Sequence, residues 1–199
     1  MSGLALFDFD GTITDRDTFL DFIRWTTPAP RLLLGLLRCL PAVLAWKLGI
    51  ISRQRGKEAV MRVFFGGQTV DAFNRRCLDY AAQRLPAVLR PGALAAIAAH
   101  RDNGDRVIVV SASPENWIAP WCAAQGIELI ATPLAVVEGR IGGDIAGHNC
   151  HGPEKVRRVA EFLDLTDYHP VHAYGDSSGD REMLAIADEA HFRPFRGRS

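Results

Sequence analysis

The chain has 199 residues, 48% of them hydrophobic, with 23 Lys+Arg against 23 Asp+Glu. This suits a soluble globular protein with one sizeable core, or one core and a smaller satellite, and the balanced charge argues against a nucleic-acid partner. Four widely spaced cysteines without a CxxC, and six histidines without an HExxH, argue against a disulfide framework or a zinc motif.

The first element is "LALFDFD" (4–10), an apolar run ending in Asp8 and Asp10, with Gly11 and Thr12 directly after. Asp and Gly are poor strand residues, so a strand that finishes on them does so for a reason. No leader precedes this strand, and reduced thiols fit a cytoplasmic location, which is the expectation. Residues 15–88 carry almost no strand signal and are rich in Leu, Arg and Ala. A parallel crossover needs only about a dozen residues, so this stretch is expected to fold as an inserted helical domain. Within it, "RLLLGLLRCLPAVLAWKLGII" (31–51) is apolar but interrupted by Arg38, Pro41 and Lys47. It reads as two helices meeting at Pro41 and packed in the insertion, with a membrane-surface helix as the alternative.

A helix "PGALAAIAAHRDNG" (91–104) leads into the β-branched run "RVIVVSAS" (106–113), ending in Ser111, Ala112 and Ser113. A helix stopping at Gly126 precedes a weaker strand, 127–133, and residues 134–147 read as a hairpin turning at Glu138-Gly139. His148 and His151 flank Cys150 as polar loop residues. The helix "PEKVRRVAEFL" (153–163) carries Lys155 and precedes "HPVHAYGD" (169–176), followed by Asp180 in "GDSSGD". The tail "FRPFRGRS" reads as a solvated basic end. Strands alternating with helices predict an α/β fold, a Rossmann-like parallel sheet with helices on both faces. Its core would be residues 1–14 and 89–199, with residues 15–88 inserted as an all-helical cap.

Ligands bind open α/β sheets at the carboxyl ends of the strands. Here those ends carry Asp8 and Asp10, Ser111 and Ser113, and Asp176 with Asp180, while Lys155 opens the helix before the third strand. Clustered carboxylates raise one another's pKa unless a cation joins them, and hard oxygen donors suit Mg²⁺. Ser111, Lys155 and backbone N–H groups past the strand ends, such as that of Ala112, would hold phosphate oxygens the metal does not. One carboxylate of the Asp8/Asp10 pair can then attack phosphorus while the other protonates the leaving oxygen and later activates water.

"DFDGT", then "VVSAS", an isolated Lys and "GDSSGD", in that order, resemble the four motifs of the haloacid dehalogenase (HAD) superfamily. The resemblance covers the whole chain. The helical insertion, "EGRIGGDIAG" and "GPEKVRRV" look most like its phosphoserine phosphatase-like branch, subfamily IB. It implies Asp8 as nucleophile and Asp10 as acid/base, with the Asp10 backbone carbonyl on Mg²⁺. It also implies Asp176 as a direct ligand, Asp180 acting through water, Ser111 and Lys155 on phosphate, and Thr12 orienting Asp10, with Gly11 in support. Many dehalogenases of the superfamily lack the second aspartate, so its presence favours a phosphatase. Phosphoserine phosphatases typically carry a Glu at the position matching Asp17 and an Arg in the cap. Here the acid is shorter, and Arg53, Arg55 and Arg62 are the candidate cations.

The expected function is a Mg²⁺-dependent phosphomonoesterase acting on a small phosphorylated metabolite, with no nucleic-acid partner. Asp17 predicts a preference for amino-alcohol phosphates, unless it merely caps the helix beginning near Thr18. Two other readings are a membrane-associated lipid-phosphate phosphatase using residues 31–51, and a phosphorylatable receiver-type switch. In the switch pattern the acceptor Asp has no counterpart of Asp10.

Overall fold

The computed structural model describes residues 2–196. Strand β1 (Leu4–Phe7) passes through a turn at Phe9–Ile13 into four helices, α1 (Thr18–Thr26), α2 (Ala29–Lys47), α3 (Arg53–Phe65) and α4 (Val70–Gln83). Helix α5 (Pro91–Asp102) then enters β2 (Arg106–Pro114), followed by α6 (Glu115–Gln125) and β3 (Glu128–Thr132). The chain continues through β4 (Leu134–Val137), β5 (Arg140–Ile145), α7 (Pro153–Phe162), β6 (Val171–Gly175), α8 (Arg181–Ala185) and β7 (Glu189–Phe192).

Five strands form one sheet in the order β3-β2-β1-β6-β7, every neighbouring pair parallel. Phe7 stands level with Val109 on one side and Tyr174 on the other. The next residues of all three strands therefore emerge together at the carboxyl edge. Strand period two separates the faces. Ala5, Phe7, Val107 and Val109 pack with Phe22, Phe73, Ile97 and Trp117 on one side, and Leu4, Leu6, Ile108 and Val110 pack with Val159 and Met183 on the other. Helices thus cover both faces, as expected for a buried parallel sheet.

The helices between β1 and β2 join the first of these clusters chiefly through aromatic contacts. Phe22 of α1 stacks on Trp117 of α6 at 4.7 Å, and its ring meets Phe65, Phe73 and Tyr80 at 5.1–5.9 Å. Full burial of a Phe is worth roughly 1.5–3 kcal/mol, so this junction contributes substantially to holding α1 over the sheet edge. The β4–β5 hairpin turns at Glu138-Gly139, both with positive φ (49° and 71°). It meets the same helical segment, Gly67 N–H donating to Ile141 and Ile141 N–H to Gln68.

Four local expectations change. The first strand ends at Phe7, Asp8 keeping one bond to the Tyr174 carbonyl, and the run 169–176 forms a strand only over Val171–Gly175. Helix α2 runs unbroken through Pro41. Pro41 lies on the exposed side, where the Leu37 carbonyl that loses its partner is not trapped in a core. Strand β7, "EAHF", is an addition that its composition does not announce. The tail is not a free end as far as Arg196. Phe195 lies over Tyr174 at 5.5 Å, its carbonyl accepts from Arg90, and Arg196 reaches Asp176. Arg198 lies outside the described residues. All four cysteines are free and buried.

Candidate active site

Asp8 is the first residue past β1 and remains extended (φ −65°, ψ 155°), its N–H donating to the Tyr174 carbonyl at 2.9 Å. The register thus delivers its carboxylate to the centre of the carboxyl edge. Lys155, on the first turn of α7, reaches the same point fully buried. Its Nζ donates to Asp8 Oδ1 at 2.6 Å, Asp180 Oδ1 at 2.7 Å and the Val110 carbonyl at 2.7 Å. Burial alone would lower the Lys155 pKa, but Asp8 and Asp180 outweigh it and hold the ammonium charged. Burial pushes the Asp8 carboxyl up to about 7, with Lys155 opposing. Burial likewise raises Asp176, against the pull of Arg196, whereas Lys155 overcomes burial at Asp180 and lowers it.

Asp176 follows β6 directly, and Asp180 closes the next tight turn. Asp180 Oδ2 accepts from Asp176 N–H at 3.1 Å, Ser177 N–H at 3.0 Å and Ser177 Oγ at 2.9 Å. With Oδ1 on Lys155, both Asp180 oxygens are engaged. Gly11 has φ +83°, and a Cβ there would stand 2.4 Å from Asp176 Oδ2, so only glycine lets the turn pass this carboxylate.

Carboxylate oxygens of Asp8, Asp176 and Asp180 lie within 4.8 Å of one another, and all three residues are buried. A buried, all-oxygen, anionic donor set fits a hard divalent cation such as Mg²⁺. Asp8 and Asp176 would hold it directly. Asp180, which already accepts four hydrogen bonds, would act through water.

Asp10 opens into the same cavity, of about 590 Å³. Its Oδ1 accepts from Thr18 N–H (2.6 Å) and Oγ1 (2.5 Å), and its Oδ2 from Ser113 Oγ at 2.6 Å. Trp117 Nε1 in turn donates to Thr18 Oγ1 at 3.2 Å. The Thr12 expectation is therefore corrected. Its hydroxyl donates to Asp8 Oδ2 at 3.2 Å, because the turn folds residue 12 back over residue 8, and Thr18 and Ser113 are what orient Asp10. Ser111 is fully buried and accepts from Ser113 N–H at 3.0 Å, beneath the Ala112 and Ser113 that line the cavity.

The far wall comes from α1, α2 and α3. Asp17 lines the cavity but also caps α1, accepting from Leu20 N–H at 3.1 Å. Of the candidate cations only Arg53 lines the cavity, 2.8 Å from His151 Nε2. Arg55 is exposed away from it, and Arg62 pairs with Asp144 and Glu58. The residue not foreseen is Lys57, whose Nζ donates to the Ala112 carbonyl at 2.5 Å and Asn149 Oδ1 at 3.1 Å. Burial lowers its pKa to about 8 against the pull of Asp10 and Asp17. Arg53 and Lys57 are four apart and share a helix face, a spacing that separates them from Arg55. His151 also lines the cavity, rather than serving only as loop.

Comparison with known proteins shows the family and the fold. Residues 5–185 match the family model for haloacid dehalogenase-like hydrolases. Protein CicA of Caulobacter vibrioides is 41% identical over 199 residues, covering 98% of this chain and 87% of that protein. The fold superposes on a Bordetella pertussis protein of unknown function with TM-score 0.82 at 24% identity, covering 94% and 87% of the two chains. It also superposes on a phospho-aspartyl intermediate analogue of phosphoserine phosphatase with TM-score 0.66 at 19% identity, covering 94% and 83%. The chain belongs to the haloacid dehalogenase-like hydrolase family.

Proposed function

We propose that this hydrolase is a Mg²⁺-dependent phosphomonoesterase that works through a phosphorylated Asp8. The observation carrying the proposal is the convergence of Lys155 on Asp8 and Asp180, beside Asp176, with Asp10 held separately in the same cavity. An Asp8 oxygen bonds to phosphorus as the ester P–O bond breaks, and the departing alkoxide takes a proton from Asp10. A water then gives its proton back to Asp10 as its oxygen bonds to phosphorus, and the Asp8–phosphorus bond breaks to release inorganic phosphate. Lys155 and the Ala112 N–H supply positive charge to the phosphoryl oxygens, the main requirement of phosphoryl transfer. Mg²⁺, when bound by the carboxylates, neutralises charge that would otherwise repel the phosphate. Asp10 is what separates this reading from a receiver-type switch.

In this reading residues 15–88 form the cap, and the alcohol half of the substrate lies against it. The expectation of an amino-alcohol phosphate rests on Asp17 alone. That carboxylate is engaged in capping α1, and burial with Asp10 beside it raises its pKa, so it offers little free field for a substrate cation. The cavity supports a phosphomonoester whose alcohol half follows Phe19, Leu20, Val43, Trp46 and Val60. The test is to quench the protein with acid during turnover of a labelled phosphomonoester in Mg²⁺. The label is expected on Asp8 as a hydroxylamine-sensitive acyl phosphate, absent in Asp8→Asn. Full turnover with no such label, or undiminished turnover in Asp8→Asn, refutes the nucleophile.

A further inference from the structure

Helix α2 is apolar on a side that no part of the described structure covers. Leu33, Leu37, Leu40, Leu44 and Leu48 recur three or four residues apart and are 49–74% exposed. At about 100° per residue they form one stripe along the helix. The opposite side is committed to the protein. Gly35 and Cys39 are buried, and a Cβ on Gly35 would stand 2.5 Å from the Phe64 ring of α3. With one side fixed against α3, the helix can lie along a surface but not cross a bilayer.

Charge identifies the surface. The whole chain balances 23 cations with 23 carboxylates, yet residues 22–57 hold seven Lys/Arg and no Asp or Glu. Arg31 and Arg38 border the leucine stripe along one edge of the helix and Lys47 along the other, and all three are exposed. Among the described residues none of these three is in a salt bridge with a carboxylate. An apolar stripe flanked by unpaired cations on long side chains is the pattern of a helix lying in an anionic lipid interface. Val43 and Trp46, on the α3-facing side of the same helix, line the catalytic cavity, and Trp46 is partly exposed at its edge.

We propose that α2 docks the protein on an anionic membrane and that the substrate is a lipid ending in a phosphomonoester. Its phosphate meets Asp8 and Lys155 at the floor of the cavity while its apolar part leaves along Leu20, Val43 and Trp46. The substrate half of this proposal rests on the phosphomonoesterase reading above; the docking half does not.

The test uses the full chain with vesicles of phosphatidylcholine alone or mixed with phosphatidylserine. The protein is expected to co-sediment with the anionic vesicles, less so at high salt. Leu37→Glu with Leu40→Glu should lower that partitioning about tenfold or more, because each puts a charge into the apolar layer. Turnover of soluble p-nitrophenyl phosphate should be unchanged in this variant, which also shows that it folds. Turnover of phosphatidic acid carried in the vesicles should fall with the partitioning. Absence of vesicle binding overturns the docking, as does a dimer in solution that the double substitution dissolves, which would give the stripe to a second copy. Vesicle binding without hydrolysis of any phosphomonoester refutes the phosphatase reading and leaves the docking standing. Hydrolysis of soluble esters with phosphatidic acid untouched overturns the lipid substrate.

Discussion

Replacing Lys155 by Met removes an ammonium without opening a large void and leaves two buried carboxylates behind. Nζ contacts Asp8 Oδ1, Asp180 Oδ1 and the Val110 carbonyl, all within 2.7 Å. Removing one partner of a buried ion pair costs roughly 3–5 kcal/mol, a large share of the roughly 5–15 kcal/mol that holds a domain folded. The loss does not fall evenly. Asp180 keeps three donors on Oδ2, from Asp176 and Ser177, whereas Asp8 keeps only the Thr12 hydroxyl at 3.2 Å. Most of the cost therefore sits on Asp8. Urea unfolding in EDTA should show Lys155→Met destabilised by about 3–5 kcal/mol. Adding Asp8→Asn should recover more of that loss than adding Asp180→Asn. Mg²⁺ should restore part of the stability in Lys155→Met by binding the folded state alone. A change below about 0.5 kcal/mol, the scale of an ordinary surface substitution, would refute the reasoning, as would a larger rescue by Asp180→Asn.

Asp8→Asn should abolish steady-state turnover, while Asp10→Asn should retain Mg²⁺ binding by calorimetry and lose ~10²–10⁴-fold in kcat. Gly11→Ala drives a Cβ to within 2.4 Å of Asp176 Oδ2, so the Mg²⁺ concentration for half-maximal activity should rise about tenfold or more. Burial sets Lys57 near 8, so its positive charge is present below that pH and lost above it. KM for a phosphomonoester should rise as pH passes through about 8, and Lys57→Arg, which stays charged, should flatten that rise in a KM–pH profile.

The carboxylate and hydroxyl half of the candidate site was legible because those residues lie at or just past the carboxyl ends of buried strands. Such strands are short β-branched runs, and parallel neighbours in register bring their ends to one edge. Asp8, Ser111 and Asp176 could thus be placed from "LALF", "RVIVV" and "VHAYG" without knowing a single side-chain contact. What failed depended on local turns. Thr12 sits two residues from Asp10 and four from Asp8, and only the tight path through Gly11 decides which carboxylate its hydroxyl meets. Thr18 and Ser113 act on Asp10 from eight and 103 residues away, distances at which sequence carries no pairing signal. The arginines after β7 looked like a solvated end because charge there is ordinarily hydrated. Arg193 and Arg196 instead lie beside Asp176, Arg193 Nε donating to its carbonyl at 2.9 Å.

The substrate-facing half resists sequence reading for a different reason. Spacing on α3 separates Arg53 and Lys57 from Arg55, but it gives only relative phase; which pair meets the cavity is decided by Gly56, where a Cβ would be 3.1 Å from Trp46 of α2. The same limit applies to α2 itself. Its leucines were read as packed within the insertion, because an apolar run in a globular chain is ordinarily core. Hydrophobic periodicity states that a face is unstable against water and leaves open what covers it. In this chain Gly35 and Cys39 take the interior and the leucines are left outside. The absence of any carboxylate from residues 22–57 was visible from the start, and global neutrality hid it. A net charge of zero summed over 199 residues says nothing about a cationic segment that borders the mouth of the site.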